Sequence, residues 1–131
     1  MKTKIEIKSI KGNVLFAYEK ENNTLKETLE EAVRNNIDLC YADLSYAKLD
    51  NINLINENLI GIRLSNADLS NADLSGSNLH RADLTNANLE CANLSDADLS
   101  DAYLSDAYLY GADLALVDLH YADLHRANLY N

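Results

Sequence analysis

Most of the side chains in this sequence that could do chemistry are carboxylates. Asp and Glu number 21 against 11 Lys and Arg, which gives a formal net charge of −10. Fifteen of the acidic residues and four of the basic residues lie in residues 37 to 131, so this segment carries −11 and residues 1 to 36 carry +1. A surface of this sign repels nucleic acid and anionic membranes and attracts basic partners. We therefore expect no direct binding of nucleic acid or membrane.

Nucleophiles and metal-ligating residues are present, but their spacing does not bring them together. The histidines are His80, His120 and His125, and the cysteines Cys40 and Cys91 are isolated. No zinc-ligand spacing and no carboxylate–histidine–nucleophile set follows from these positions. The four glycines are too scattered for a phosphate-binding loop. The sequence predicts a protein that is not an enzyme, with no catalytic residue, metal or cofactor.

A five-residue period sets the positions of these side chains. From Leu39 to Leu129 a leucine recurs at every fifth residue, 19 times without a miss. The residue two positions before each leucine is usually Ala, and the one between is most often Asp or Asn, as in NADLSNADLS. A period of five fits neither a helix nor a strand. The chain must therefore bend once per unit, which turns each leucine and its preceding small residue inward.

These units resemble those of the pentapeptide-repeat family, whose consensus is Ala, Asp or Asn, Leu and two variable polar residues. The resemblance covers residues 37 to 131. It implies an all-β solenoid, a right-handed quadrilateral parallel β-helix of about 4–5 coils with four units in each coil. With coils stacked about 4.8 Å apart, the rod would be roughly 23 Å long.

Residues 1 to 36 lack the repeat and are predicted to form a small N-terminal cap. The alternating runs KIEIK and VLFAY flank a Gly-Asn pair, which indicates a β-hairpin. Thr24 followed by Glu27 is a capping-box pattern and predicts a short α-helix. Such a unit would cover the leucines and the strand edge of the first coil. Within the repeats, Glu57 occupies an inward position, where we expect a local bulge or an outward side chain.

Aspartates of the late units form a candidate partner-binding surface. With about 20 residues per coil, Asp98 stacks on Asp118, and stacked like charges destabilise a sheet. Asn occupies equivalent positions elsewhere, so the fold does not require the charge. The predicted acidic belt consists of Asp83, Asp96, Asp98, Asp101, Asp106, Asp113, Asp118 and Asp123. The alternative is that these carboxylates only satisfy turn amides and keep the chain in solution.

The charge density of the repeats favours mimicry of DNA. Eleven net negative charges over roughly 23 Å approach the one charge per about 1.7 Å of duplex DNA. The family resemblance points the same way, since its best-understood members resemble B-form DNA and bind DNA gyrase. We therefore predict an acidic protein that occupies the basic DNA-binding groove of a topoisomerase such as gyrase, or of a CRISPR or restriction nuclease as a phage-type inhibitor. The competing interpretation is a rigid scaffold for protein–protein interaction without mimicry.

The late tyrosines and the apolar last unit predict self-association. We expect a homodimer through the C-terminal end, because unpaired strand edges invite pairing. The expected interface residues are Tyr110, Tyr121, Leu124, Leu129 and Tyr130. Alternatively, tyrosine merely covers outward β positions. No apolar run is long enough for a membrane span or a signal peptide, and isolated cysteines suit a reducing compartment, so the sequence predicts a cytoplasmic protein.

Overall fold

A β-hairpin and one α-helix precede the repeats in the computed structural model, which describes residues 1–130. Strands β1 (Lys2–Ser9) and β2 (Val14–Glu21) pair antiparallel. Helix α1 (Leu25–Arg34) begins with the predicted capping box, in which the Thr24 side chain accepts the Glu27 N–H and the Glu27 carboxylate accepts the Thr24 N–H. Asn131, the last residue of the predicted repeat segment, lies outside the described residues.

The hairpin and the helix pack against the first coil. Strand β1 also pairs antiparallel with β3 (Ala42–Asp43), which gives a sheet of order β2–β1–β3. Leu29 and Ala32 of α1 are fully buried and belong to the same hydrophobic core as the leucines of the repeats. The Lys26 ammonium donates to the carbonyl of Asp50 at 2.5 Å. The first coil is therefore joined to the N-terminal unit through both backbone pairing and apolar contact.

The repeats form a four-sided solenoid. Parallel bridges join the residue before each central leucine to the residue 20 positions later, from Asp43 with Arg63 to Tyr108 with Asn128. Because each unit has five residues, four units complete one coil. From Leu44 to Leu109 the N–H of each central leucine donates to the next coil, as Leu79 does to the Asp98 carbonyl at 2.7 Å. The central leucines from 39 to 109 are buried, and the rod is filled by apolar side chains.

Each corner of the coil is a turn whose third residue has a positive φ. The N–H of Ala82, for example, donates to the carbonyl of Leu79 at 2.9 Å. The second residue after each leucine has φ near +57°, as at Asn71, Asn86 and Asp96. A positive φ at this position alone is the pattern of a type II turn. Asn, Asp and Gly tolerate the left-handed region best, which explains why they fill most corners.

Of the two alternatives expected at Glu57, a local bulge or an outward side chain, the backbone bulge is absent. Its N–H donates to the carbonyl of Leu54 at 3.2 Å, and its own carbonyl accepts from Asn78 at 2.9 Å, as at the regular corners. The residue is half-buried and lines a surface cavity with Val33 and Arg34 of α1. Glu57 therefore keeps solvent access at the boundary between the helix and the coils, which fits an outward side chain.

The last coil is more exposed than the coils before it. Leu114, Leu119 and Leu124 are only half-buried, and Leu129 is 47% exposed. In the earlier coils the N–H of the central leucine donates to a carbonyl of the following coil. The N–H groups of Leu119 and Leu124 have no such backbone acceptor within residues 1–130. Leu116, at a corner, is 86% exposed. This end of the described rod thus presents apolar surface and unpaired backbone donors.

Candidate functional site

The predicted acidic belt lies on three of the four sides of the rod. We label the sides of the last two coils by their leucines: A has Leu99 and Leu119, B has Leu104 and Leu124, C has Leu109 and Leu129, and D has Leu94 and Leu114. On side A, Asp98 bridges to Asp118, and on side B, Asp83 and Asp123 flank Tyr103 in one column. The remaining members are Asp113 on side D and the corner residues Asp96, Asp101 and Asp106.

Side C of the last two coils has no aspartate before its leucines, whereas each of the other sides has at least one. Tyr108 and Tyr110 flank Leu109 and are 51% and 52% exposed, and Tyr130 is 80% exposed. The positions beside them hold neutral residues such as Asn128 and Gly111. The belt therefore does not encircle the rod, because its negative charge is interrupted along the whole of side C.

The belt residues on the flat sides also have a structural role. One carboxylate oxygen of Asp98 accepts from the N–H of Ser100 at 2.9 Å and from its hydroxyl at 2.6 Å. The same oxygen of Asp118 accepts from the His120 N–H at 2.9 Å. Asn93 makes an equivalent pair of bonds to Ser95. The side-chain oxygen thus stabilises the start of the turn. This is the contact expected if these carboxylates only satisfy turn amides and keep the chain in solution.

Hydrogen bonds keep two belt carboxylates ionised. The backbone N–H of His120 and then its side chain lower the pKa of Asp118. The backbone N–H of His125 and then the Ser105 hydroxyl lower the pKa of Asp123. Each carboxylate uses Oδ1 in its turn, whereas the Ser105 bond goes to Oδ2 of Asp123. Both groups therefore stay charged to a lower pH than an ordinary aspartate does.

Two corner aspartates are partly neutralised by arginine, which the sequence analysis did not foresee. Arg126 Nε lies 3.0 Å from the Asp106 carboxylate, and Arg81 Nε lies 4.0 Å from that of Asp101. Each pair joins corners of adjacent coils, 20 positions apart, so the period could have revealed it. Within residues 1–130, no ion pair involves the three belt members nearest the corner between sides D and A. This D–A edge consists of Asp96, Asp98 and Asp113.

His80, Ser100 and Asp98 meet on side A, but they lack the order needed for catalysis. His80 Nδ1 lies 2.8 Å from the Ser100 hydroxyl, and that hydroxyl donates to Asp98. In a nucleophilic triad the carboxylate orients the histidine and the histidine accepts the hydroxyl proton. Here the hydroxyl proton is directed to the carboxylate instead. Among residues 1–130 no group of three His, Cys, Asp or Glu side chains could hold a metal ion.

The residues predicted for a dimer interface are accessible. Tyr121 is 89% exposed and Tyr130 80% exposed, whereas Leu124 is half-buried within the last coil. Tyr110 and Tyr130 occupy the same column of side C, as the 20-residue period predicts. These exposures make the surface available but leave the homodimer a prediction.

Comparison with known proteins identifies the family. The sequence profile of pentapeptide repeats matches eight copies, over residues 62–101 and 97–131. The chain is a pentapeptide-repeat protein. It is 34% identical to alr5209, a pentapeptide repeat protein from Nostoc PCC 7120, over 68% of this chain and 74% of that one, with a TM-score of 0.60. Proteins of this family form right-handed β-helices and are generally structural or binding proteins.

The chain is also similar to two further solved structures at lower identity. QnrB1, a plasmid-mediated fluoroquinolone resistance protein, is 19% identical over 68% of this chain and 53% of its own, with a TM-score of 0.50. AT2G44920, from the thylakoid lumen of Arabidopsis thaliana, is 26% identical over 70% of this chain and 61% of its own, with a TM-score of 0.45. No curated protein sequence matches the chain significantly. In residues 1–130, no helix combines the length and apolarity needed to span a bilayer.

Proposed function

We propose that this pentapeptide-repeat protein is an acidic cytoplasmic binding protein that mimics DNA and occupies the basic DNA-binding groove of a nucleic-acid enzyme or complex. The observation that carries the proposal is the column of carboxylates at coil spacing. Asp98 and Asp118 are bridged neighbours on side A, and Asp83 and Asp123 share a column two coils apart on side B. Coils about 4.8 Å apart thus repeat negative charge along a rigid rod, as phosphates do along a duplex.

The D–A edge is the part of the belt best suited to contact a basic groove. Asp101 and Asp106 have arginine neighbours, which reduce the charge they offer to a partner. Asp98 is half-buried, and one of its oxygens is held by Ser100, so its carboxylate is fixed in position before binding. A charge that is already ordered loses little side-chain entropy when a Lys or Arg of the partner approaches it.

Neutralising the belt tests the mimicry. In the quadruple variant Asp96→Asn, Asp98→Asn, Asp113→Asn and Asp118→Asn, an amide oxygen at the three flat-side positions can still accept the turn N–H, as the Asn93 oxygen accepts from Ser95. The corner position of Asp96 also tolerates Asn, because Asn already occupies corners with the same positive φ. The fold should therefore survive the loss of four charges. The matched control removes four charges outside the belt, with Asp38→Asn, Asp50→Asn, Asp68→Asn and Asp73→Asn.

The assay is a pull-down from bacterial lysate, followed by competition with duplex DNA against each captured protein after purification. We expect retained DNA-binding proteins to be released by duplex and by roughly 0.5 M salt, where the Debye length is only a few ångströms. The belt variant should bind them at least tenfold more weakly, whereas the control variant should bind nearly as the unaltered protein does. Capture of proteins that ignore both duplex and the belt substitutions would refute mimicry.

The scaffold interpretation has an observation of its own in its favour. The side-chain oxygens of Asp and Asn alike accept turn N–H groups along the whole solenoid, from Asp43 to Asn128. Aspartate at these positions is thus explained without a partner. A scaffold would use the exposed tyrosines, so Tyr108→Asn and Tyr110→Ser should abolish partner capture while the belt variant leaves it intact.

We also propose that two copies associate through the last coil. Its half-buried leucines and unpaired N–H groups would be covered by a second copy, with Tyr110, Tyr121, Leu124, Leu129 and Tyr130 at the contact. Light scattering after size exclusion tests this with Tyr121→Asn and Tyr130→Ser, which change outward residues and leave the core intact. A dimer that these changes convert to a monomer supports the proposal, whereas a monomer at every concentration contradicts it.

A further inference from the structure

The last coil differs from the coil before it in charge and in its corner residues. Residues 91–110 contain four Asp and no Lys, Arg or His, whereas residues 111–130 contain three Asp, two His and one Arg. Two corners that hold Asp in the preceding coil hold Leu116 and Tyr121 in the last coil, and these side chains are 86% and 89% exposed. The end of the rod is therefore less acidic and more apolar than the surface beneath it.

The free edge of the last coil presents backbone acceptors as well as donors. The corner N–H groups of Leu116 and Tyr121 make no backbone hydrogen bond within residues 1–130, and the carbonyls of Val117 and Ala122 accept none there. In the earlier coils the equivalent groups bond to the following coil. A free strand edge of this kind pairs readily with another strand.

We propose that two copies join through the last coil as an antiparallel pair, with Leu119 of each copy opposite Leu119 of the other. Leu114 then lies opposite the partner's Leu124, so the leucine layers continue through the contact. The Tyr121 N–H lies opposite the partner's Val117 carbonyl, so free donors of one copy meet free acceptors of the other. This alignment rests on the association of two copies proposed above, and it specifies which residues meet.

The outward residues meet as Asp–His pairs in this alignment. Asp118 lies opposite the partner's His120, and Asp113 lies opposite the partner's His125, and two-fold symmetry repeats both contacts. The side chains of His120 and Asp118 are 82% and 49% exposed, so both are accessible to a second copy. A histidine N–H donates to a carboxylate, so these contacts replace the repulsion that Asp opposite Asp would cause.

Charge disfavours the nearest alternative alignments. A shift of one residue would turn the leucines of one copy outward and remove them from the core. A shift that sets Leu119 opposite the partner's Val117 keeps the inward positions together, but it places the Asp118 carboxylates of the two copies opposite each other. Like charges directly opposite destabilise a strand pair, and two acidic rods have little other attraction to offset them.

The corner residues distinguish the proposed alignment from one shifted by a whole unit. Setting Leu119 opposite the partner's Leu124 also pairs Asp with His, but it places Leu116 beside the partner's Arg126. In the proposed alignment Leu116 instead lies beside the partner's Tyr121. The two most exposed apolar corners of the last coil then cover each other, which removes apolar area from water.

Cysteine cross-linking tests the alignment in the full chain. Asp118→Cys and His120→Cys are made as two separate proteins, each with Cys40→Ser and Cys91→Ser. Opposite residues that lie between the hydrogen-bonded pairs of an antiparallel ladder have Cα atoms about 4.5 Å apart, within the range that a disulfide spans. After mixing and treatment with oxidised glutathione, we expect a covalent dimer that contains one copy of each variant, identified by its intact mass. Each variant treated alone should remain free of cross-links.

Light scattering of the protein with only the two serine substitutions separates failure of the alignment from failure of the association. A monomer at every concentration overturns both. A dimer in which Asp118→Cys links to itself overturns the alignment alone. The same holds for a dimer in which Asp118→Cys links to His125→Cys in place of His120→Cys, and for a dimer without any cross-link.

An exchange of charges provides a second test that needs no cross-link. His120→Asp places two carboxylates opposite each other twice in each dimer, so it should weaken dimerisation roughly tenfold in sedimentation equilibrium. Adding Asp118→Lys should restore dimerisation, because each new lysine then faces a new aspartate of the partner. The control Asn78→Asp adds one negative charge on side A two coils away and keeps an acceptor for the His80 N–H, so it should have no effect. Equal weakening by the control, or no recovery in a double variant with an unchanged circular dichroism spectrum, overturns the proposal.

Discussion

Leucine 79 provides a direct measure of how the solenoid is stabilised. Leu79 is fully buried in the third coil, between layers formed by Leu59 and Leu99. In Leu79→Ala the cavity has little means of collapse, because the backbone above and below is held by hydrogen bonds such as that from Leu79 N–H to Asp98 at 2.7 Å. A buried Leu→Ala change costs roughly 2.7–5 kcal/mol, and poor collapse places this site near about 4 kcal/mol. A chain of this size has a total stability of about 7–20 kcal/mol.

The matched control is Leu119→Ala, at the last leucine of the same column. Leu119 is only half-buried, so its truncation removes less apolar area from the core and should cost about 1 kcal/mol. Urea unfolding, followed by circular dichroism and tyrosine fluorescence, gives the loss of unfolding free energy for both variants. The slope of the unfolding free energy against urea concentration should be unchanged if each variant unfolds as one unit. Equal costs at the two sites would refute the reasoning, because burial would then not set the stability of each layer.

Three further predictions concern turns, corners and pH. Asp73→Ala removes the acceptor of the Ser75 N–H and hydroxyl and should cost about 1 kcal/mol in thermal unfolding, whereas Asp73→Asn should cost little; equal losses would contradict the turn role. Asn71→Val forces a β-branched residue to a φ of +57° and should destabilise by about 1–2 kcal/mol relative to Asn71→Gly, again measured in urea. The pKa values of Asp118 and Asp123 are lowered in the fold. Their stabilisation is therefore complete above the unfolded pKa near about 3.9 and is lost as pH falls through the lower folded values. In acid titrations, Asp118→Asn with Asp123→Asn should lose less stability below about pH 4 than the unaltered protein.

The regular features of this fold follow from local rules and could be predicted. The leucine period identifies the inward positions because every unit meets the same geometric requirement. Thr24 and Glu27 mark the helix start because a capping box involves residues only three apart. The period also predicts which side chains share a column, such as Tyr110 and Tyr130.

The irregular features depend on where individual side chains extend, which the period does not specify. The pairs Arg81–Asp101 and Arg126–Asp106 require both the 20-residue register and suitable rotamers. The bulge expected at Glu57 is absent because α1 leaves the carboxylate a cavity open to solvent. A sequence pattern cannot show how a helix crosses a coil, so it left both a bulge and an outward side chain as expectations.

The similarity of the units creates a hazard during folding. If a late coil docked five residues out of place, each leucine would still meet a leucine, but every outward residue would move to a neighbouring side. Slippage of this kind leaves the core intact and scatters the acidic belt. The antiparallel pairing of Ser9 with Ala42 fixes where the first coil begins. We therefore expect the N-terminal hairpin to act as a starting template, and a chain without it to populate several alternative alignments of similar core stability.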